Sequence, residues 1–453
     1  MIPVKIFNYK TQSKKILRKG EKEPMKEKRN AKRSTKSNTA FRLWNRNFFL
    51  LWQGQMVSVL GDALYDIALN FFVLEMTGST VIMGTVMALV TVPRILLGPA
   101  AGVFVDRYDR KKLIVFGDVV RGVSVLFIAF AAWNGFLEIW MVMLAAVISG
   151  ICASVFNPAI ESVLPDIVPS DNMIRANSAY QAATTGADVL GESLGGILYT
   201  VIGAPFMFLI DGISYLFSAC TEVFLEIPKI ERKGVKVTFR EDFREGLRFI
   251  WKHQGVVRII GMSFLINYLF GVIRVLIIPW FAGEEKLGMA RYGILNGVQS
   301  VGLVAGMAVL TVITIRTEQK YKVYLVTLLL FAASIGAGAF LNQYAAILIS
   351  FFLAFGFQFV FNTVMNATLM AQTPVEYRGK VSATKTTLGM AISPLGNFAG
   401  GVLCVYADPR MLIVVHCAAA MIIAAVLVVH PTVKGFFLQE TEKRARSAAA
   451  EKD

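Results

Sequence analysis

Twelve apolar runs, each long enough to cross a bilayer as a helix, are spaced along residues 48–429 of this chain. A hydrocarbon core of about 30 Å takes roughly 20 helical residues. The runs are Phe48–Met76, Val81–Val105, Leu113–Trp133, Ile139–Ile160, Ile174–Ile202, Phe206–Glu226, Val256–Ala282, Tyr292–Ile315, Val323–Leu341, Ala345–Met370, Val381–Ala407 and Met411–Val429. Runs of this length span a bilayer as helices. The expected class is an all-α membrane protein with twelve transmembrane helices.

Composition agrees. The chain has 453 residues, of which 55% are hydrophobic and 17% charged, and its mean hydropathy is +0.57. A soluble protein carries about 25% charged residues. The net charge of +15 raises the question of nucleic acid, but residues 1–46 hold fifteen Lys/Arg against three Glu, a net +12. No basic, aromatic-interleaved fold follows, so no nucleic-acid partner is expected. The tail reads as a disordered, polybasic, cytoplasmic segment, a topogenic charge excess rather than an anionic-lipid contact. No signal-peptide core precedes residue 41, and Met25 offers a second start position. Cys152, Cys220, Cys404 and Cys417, with His253, His416 and His430, are scattered without metal or redox spacing. Neither a metal nor a cofactor is expected.

The loops alternate in charge. The tail, Asp106–Lys112, residues 227–255, Arg316–Lys322, Arg378-Gly379-Lys380 and residues 443–446 carry the basic excess. Basic short loops face the cytoplasm, which places both termini there. Within residues 227–255, Phe243, Leu247, Phe249 and Ile250 alternate with Arg240, Arg244, Glu245 and Arg248, the period of an amphipathic surface helix. The division expected is a basic tail (1–46), a six-helix half (47–226), a linker (227–255), a second six-helix half (256–430) and a second tail (431–453).

An internal repeat supports two halves. With a shift of 205 residues, Phe156-Asn157 falls on Phe361-Asn362, Pro169 on Pro374 and Arg175 on Lys380. Leu190-Gly191-Glu192-Ser193-Leu194-Gly195-Gly196-Ile197-Leu198 falls on Leu395-Gly396-Asn397-Phe398-Ala399-Gly400-Gly401-Val402-Leu403. Parallel halves related about the membrane normal place a binding site between them at the bilayer midplane.

Between the second and third runs stands Gly102-Val103-Phe104-Val105-Asp106-Arg107-Tyr108-Asp109-Arg110-Lys111-Lys112. This Gly-x-x-x-Asp-Arg-x-x-Arg-Lys loop resembles the loop motif of the major facilitator superfamily, which usually has Gly at the position of Asp109. Together with Ser58-Val59-Leu60-Gly61-Asp62, Pro93-Arg94, Arg175-Ala176-Asn177-Ser178 and Arg378-Gly379-Lys380-Val381, it is similar to the drug- and macrolide-efflux branch. The resemblance covers most of residues 45–430. It implies the twelve-helix major facilitator fold, alternating access, and export of small lipophilic compounds, commonly against protons. It further implies a conformational latch at Gly102, Asp106, Arg107, Arg110 and Lys111. Antiporters of the superfamily usually carry Gly-Pro-x-x-Gly-Gly on span five, whereas here Gly191-Glu192-Ser193-Leu194-Gly195-Gly196 puts Glu in place of Pro.

Charge inside the membrane is costly and marks pathways. Asp62 and Asp66 lie one turn apart on span one, and Asp188 and Glu192 one turn apart on span five. These four are the candidates for proton coupling. Asp118 and Arg121 on span three read better as an ion pair that locks helices. Arg94 and Arg274 are candidates for the substrate cavity, with Asn267, Gln299, Gln358, Asn362 and Asn366; the last three form a polar stripe at i, i+4, i+8. Phe71, Phe72, Tyr180, Tyr268 and Phe270 are aromatic candidates for the same cavity.

The expectation is therefore a monomeric, proton-coupled exporter of a small amphipathic compound, with the lipid bilayer as its surroundings. A lipid or lysophospholipid carrier is the alternative, followed by a non-transporting receptor or scaffold. No Ser/His/Asp, metal or nucleotide constellation supports an enzyme.

Overall fold

Asn45, Ser79, Asp109 and Asp408 each place a side-chain oxygen on a free backbone N–H and start a long helix. The computed structural model describes residues 44–227 and 239–438; the basic tail up to residue 43, residues 228–238 and residues 439–453 lie outside it. The helices are α1 (Arg46–Thr77), α2 (Thr80–Arg107), α3 (Arg110–Trp133), α4 (Ile139–Ile167), α5 (Met173–Val223), α6 (Phe239–Lys252), α7 (Gln254–Gly283), α8 (Gly288–Val312), α9 (Lys320–Phe340), α10 (Tyr344–Gln372), α11 (Val375–Tyr406) and α12 (Pro409–Val429). No strand occurs among the described residues. Asp109, where the superfamily usually has Gly, caps α3 by accepting the Lys112 N–H at 3.3 Å.

Eleven of these helices are long and apolar enough to cross a membrane. One of them, α5, has 51 residues, roughly 76 Å of helix and far more than one crossing needs. It breaks at Gly203, whose φ of 77° is open to glycine and strained for other residues, just before Pro205. The two arms fold back on each other around α1. Gly191 of the first arm lies against Leu60 and Ala63, while Ser214 and Asp211 of the second arm lie against Gly61. In a straight helix Gly191 and Asp211 would be about 30 Å apart. The arms thus take the places expected of spans five and six.

Span four extends beyond its expected end. Leu164-Pro165 reads as the start of a loop, yet α4 continues to Ile167. Val163, Leu164, Ile167 and Val168 are buried with Phe48, Leu51, Ile114 and Ala176, and that burial outweighs the proline. The expected second tail also begins later than residue 431. Residues 431–438 are helical, with Val433, Phe436 and Phe437 buried and Phe437 stacked on Tyr324.

The repeat seen in the sequence is present in the packing. Gly191 and Gly195 let α5 approach Leu60, Ala63 and Ile67 of α1; Gly396 and Gly400 let α11 approach Tyr268, Gly271 and Val272 of α7. The amphipathic α6 lies along the start of α11, where Glu245 pairs with Lys380 and Phe249 stacks on Tyr377 at 4.8 Å. Around the outside, Leu96, Phe116, Phe130, Val201, Phe340, Ile422 and many other large apolar side chains are exposed. An apolar surface of that kind around helices of membrane-spanning length suits lipid. The molecule is an integral, multi-pass membrane protein.

Candidate functional site: a cavity between the halves

Described contacts between the two halves gather at the end of the bundle away from the termini. Thr80, at the start of α2, donates its hydroxyl proton to the Gly401 carbonyl of α11 at 2.7 Å. A Cβ at Gly401 would lie 2.4 Å from the Thr80 carbonyl oxygen. The counterpart crossing joins α5 to α8, where a Cβ at Gly196 would lie 2.2 Å from the Met289 carbonyl oxygen. Gly196 and Gly401 are also partners in the 205-residue repeat. Backbone approach this close needs glycine on one side.

Beneath this seam lies a cavity of about 210 Å³. The first half contributes Ala63, Asp66, Ile67 and Asn70 from α1, Met87 from α2, and Asp188 and Glu192 from α5. The second half contributes Phe270, Ile273, Arg274, Ile277 and Ile278 from α7, Tyr292, Asn296 and Gln299 from α8, Ile335 from α9, and Phe351 and Phe355 from α10. Helical spacing explains the polar edges. Asp188 and Glu192, and likewise Asp66 and Asn70, share a face one turn apart. The Asn70 amide donates back to the Asp66 carbonyl at 2.7 Å, which fixes it on that face. Among the described residues Arg274 is the one cation in the lining, and it interacts electrostatically with Asp66, Asp188 and Glu192 across the junction of the halves. Three carboxyls against one guanidinium, set among aromatic and aliphatic walls, can hold a cationic or amphipathic molecule.

The structure divides the sequence candidates. Asp66, Asp188, Glu192, Arg274 and Gln299 meet in the cavity. Asp62 does not: its carboxylate accepts the Tyr215 hydroxyl in the interior of the first half. Arg94 also lies apart from the lining, among the charges of Arg121, Asp62 and Glu161. Asn267, Gln358 and Asn362 line a separate pocket of about 90 Å³ in the second half, with Ser263, Met365 and Lys385. Phe270 lines both spaces. Asn366 accepts a hydrogen bond from Lys385. Among the aromatic candidates only Phe270 lines the cavity. Phe71 packs on Tyr199 and Tyr292, Phe72 on Phe208, and the Tyr180 hydroxyl donates to Gln55 at 3.4 Å.

The expected ion pair on span three is not formed in this conformation. Both carboxylate oxygens of Asp118 lack a hydrogen-bond partner among the described residues, and the Arg121 guanidinium sits over the Phe156 ring at 4.3 Å. Of the latch, the side chains of Gly102, Asp106 and Arg107 lie outside the described structure. Arg110 pairs with Asp166 of α4 at 2.5 Å, inside its own half, and Lys111 is half-buried beside it.

Sequence reasoning missed Asn70, Asn296, Lys385, Asp211 and Glu222. Asn296 lies one turn from Gln299, a polar face that the period of span eight carries. Asp211 and Glu222 stand in the sixth apolar run, where the rule on intramembrane charge points to them directly.

Residues 51–320 match the profile of the Major Facilitator Superfamily, well over half of the chain. The chain belongs to that superfamily. It is 24% identical over 271 residues to macrolide efflux protein A of Streptococcus pyogenes, covering 58% of this chain and 67% of that one. It is 24% identical over 369 residues to the multidrug efflux pump Tap of Mycobacterium bovis (strain BCG / Pasteur 1173P2), covering 78% and 86%. In three dimensions it is similar to a bacterial homologue of the iron transporter ferroportin in an inward-facing state, with a TM-score of 0.66, 15% identity, and coverage of 85% and 98%. A bacterial homologue of the human lysosomal transporter Spinster, inward-facing and unoccupied, gives a TM-score of 0.63 at 13% identity, with coverage of 86% and 95%. These structural likenesses establish the fold. The major facilitator carrier described here is a transporter in class.

Proposed function

We propose that this superfamily member exports a small cationic or amphipathic compound, drug- or macrolide-like, from the cytoplasm across the cell membrane by alternating access, in exchange for protons. The observation that carries this reading is the acid-rich cavity, in which Asp66, Asp188 and Glu192 of one half face Arg274 of the other. A site shared by both halves is sensitive to their rocking, so occupancy and opening are coupled. The efflux names of the sequence relatives support the direction of transport. Basic loops support cytoplasmic termini, and with that orientation the glycine seam lies at the outer face. Neutralising cavity carboxyls with either a cationic substrate or protons gives the competition that an antiporter needs. A lipid carrier is less well served, because Arg274 already faces three carboxyls and is not a free anion-binding group.

The test is uptake of a lipophilic cation such as tetraphenylphosphonium into inverted vesicles, with pH and sodium gradients imposed separately. Accumulation driven by an acidic interior supports the reading. Accumulation that needs sodium, or that ignores both gradients, overturns it.

A further inference from the structure

Away from the cavity, the interior of the first half holds a set of ionisable groups to which the transport reading assigns nothing. Asp118 on α3 and Asp211 and Glu222 on the second arm of α5 are each 0% exposed. Both oxygens of Asp118, Oδ2 of Asp211 and Oε2 of Glu222 have no hydrogen-bond partner among the described residues. Two non-acidic groups point the same way. The Ser218 hydroxyl is wholly buried beside Asp118 and Glu222, and Arg121, 5% exposed, is buried among the same acids.

We propose that this interior is a proton-binding site, separate from the substrate cavity, in which Asp62, Asp118, Asp211 and Glu222 together hold at least two protons around Arg121.

Arg121 interacts with Asp62, Asp118, Asp211 and Glu222, and Arg94 on α2 reaches Asp62. Four acids against two guanidiniums leave two without a counter-charge. An ionised carboxylate in a dry interior, with no partner, is far less stable than the protonated acid. The remaining neighbours supply no positive charge: Tyr65 and Asp66 from α1, Glu161 and Cys152 from α4, and Tyr180, Asp188 and Tyr215 from α5. Protonation also gives each acid an O–H, turning an unpartnered acceptor into a donor.

The site has two ends. Asp62 and Asp66 lie one turn apart on α1, so the upper end reaches the cavity wall. At the lower end Glu222 accepts the Gln55 amide at 3.1 Å, and Gln55 accepts the Tyr180 hydroxyl. Gln55 and Asp66 are eleven residues apart on α1, roughly 16 Å of helix. A proton leaving Asp66 therefore has acceptors inside the first half that the transported compound never meets.

Infrared spectroscopy of the purified, full-length protein tests this without knowledge of the substrate. At neutral pH the wild type is expected to show the carbonyl absorption of protonated carboxylic acids. Asp118→Asn, Asp211→Asn and Glu222→Gln should each remove part of that absorption and leave tetraphenylphosphonium binding within about twofold. Absence of the absorption in the wild type overturns the proposal, and that measurement needs no variant to fold. An absorption unchanged in all three variants also overturns it. If the absorption behaves as expected but uptake ignores the pH gradient, the proton site stands and the antiport reading falls. If uptake follows the pH gradient and the absorption is absent, the reverse holds.

Discussion

Gly196 and Gly293 meet backbone to backbone across the junction of the two halves: a Cβ on Gly293 would lie 2.9 Å from the Gly196 nitrogen, and one on Gly196 would lie 2.7 Å from the Gly293 nitrogen. No flexible side chain is available there to move aside. The seam is closed by the absence of side chains, and its closure is therefore sensitive to a single methyl group.

Gly196→Ala is predicted to force the seam apart. Overpacking costs about 1–3 kcal/mol, which moves a two-state equilibrium by roughly 5- to 150-fold. Gly401→Ala at the counterpart crossing should do the same, since its Cβ would lie 2.4 Å from the Thr80 carbonyl oxygen. Distances between spin labels on α2 and α11 at this end should lengthen in both variants. Unchanged distance distributions would show that the seam does not close the carrier.

Asp66→Asn and Glu192→Gln should weaken binding of tetraphenylphosphonium. Contacts to an ionised group are worth about 1.5–3 kcal/mol, so each loss is on the order of 10- to 100-fold. Binding of an uncharged analogue of similar size should change little. Asn267→Ala, in the separate pocket behind Phe270, should leave cation binding nearly unaltered. Equilibrium binding to the purified variants measures all three effects.

Two ion pairs near the terminal face should differ in weight. Asp166 is only 3% exposed where it meets Arg110, whereas Glu245 is half exposed where it meets Lys380. Breaking a buried pair leaves a desolvated charge and costs up to about 3 kcal/mol here; an exposed pair contributes about 0–1 kcal/mol. Arg110→Ala should lower the thermal midpoint clearly, and Lys380→Ala hardly at all. Equal effects would mean that Asp166 is not held by Arg110.

Asp109 gives a smaller and sharper test. Asp109→Ala removes the cap on α3 and should cost about 1 kcal/mol, whereas Asp109→Gly, the residue usual in the superfamily, should cost a few tenths. A denaturation series on the two variants reads the difference.

Periodicity and loop charge were enough to reach the helical class, the two halves and the amphipathic α6, because each is a property of one segment or of a repeat. The site was only partly legible. Asp66 and Asp62 look equivalent on one helix, yet Tyr215, 149 residues beyond Asp66 in sequence, draws Asp62 into the interior. Asn267, Gln358 and Asn362 look like cavity residues, yet they line a second space that shares Phe270 with the cavity. Which way a helix is turned depends on its neighbours, and one sequence does not carry that phase. The break in α5 falls in the gap between the fifth and sixth apolar runs, whereas the extension of α4 through Pro165 depends on burial supplied by α1, α3 and α5.

On this proposal Asp66 and Glu192 bind the transported compound, whereas Asp62 belongs to the interior behind them. Two transport modes in the same vesicles separate these roles: exchange of labelled for unlabelled tetraphenylphosphonium, and accumulation driven by a pH gradient. Asp66→Asn with Glu192→Gln should abolish both, because neither mode proceeds without binding. Asp62→Asn should abolish driven accumulation and retain exchange, because exchange needs rocking but no net proton movement. Full exchange and full accumulation in the Asp66→Asn, Glu192→Gln protein would contradict the account.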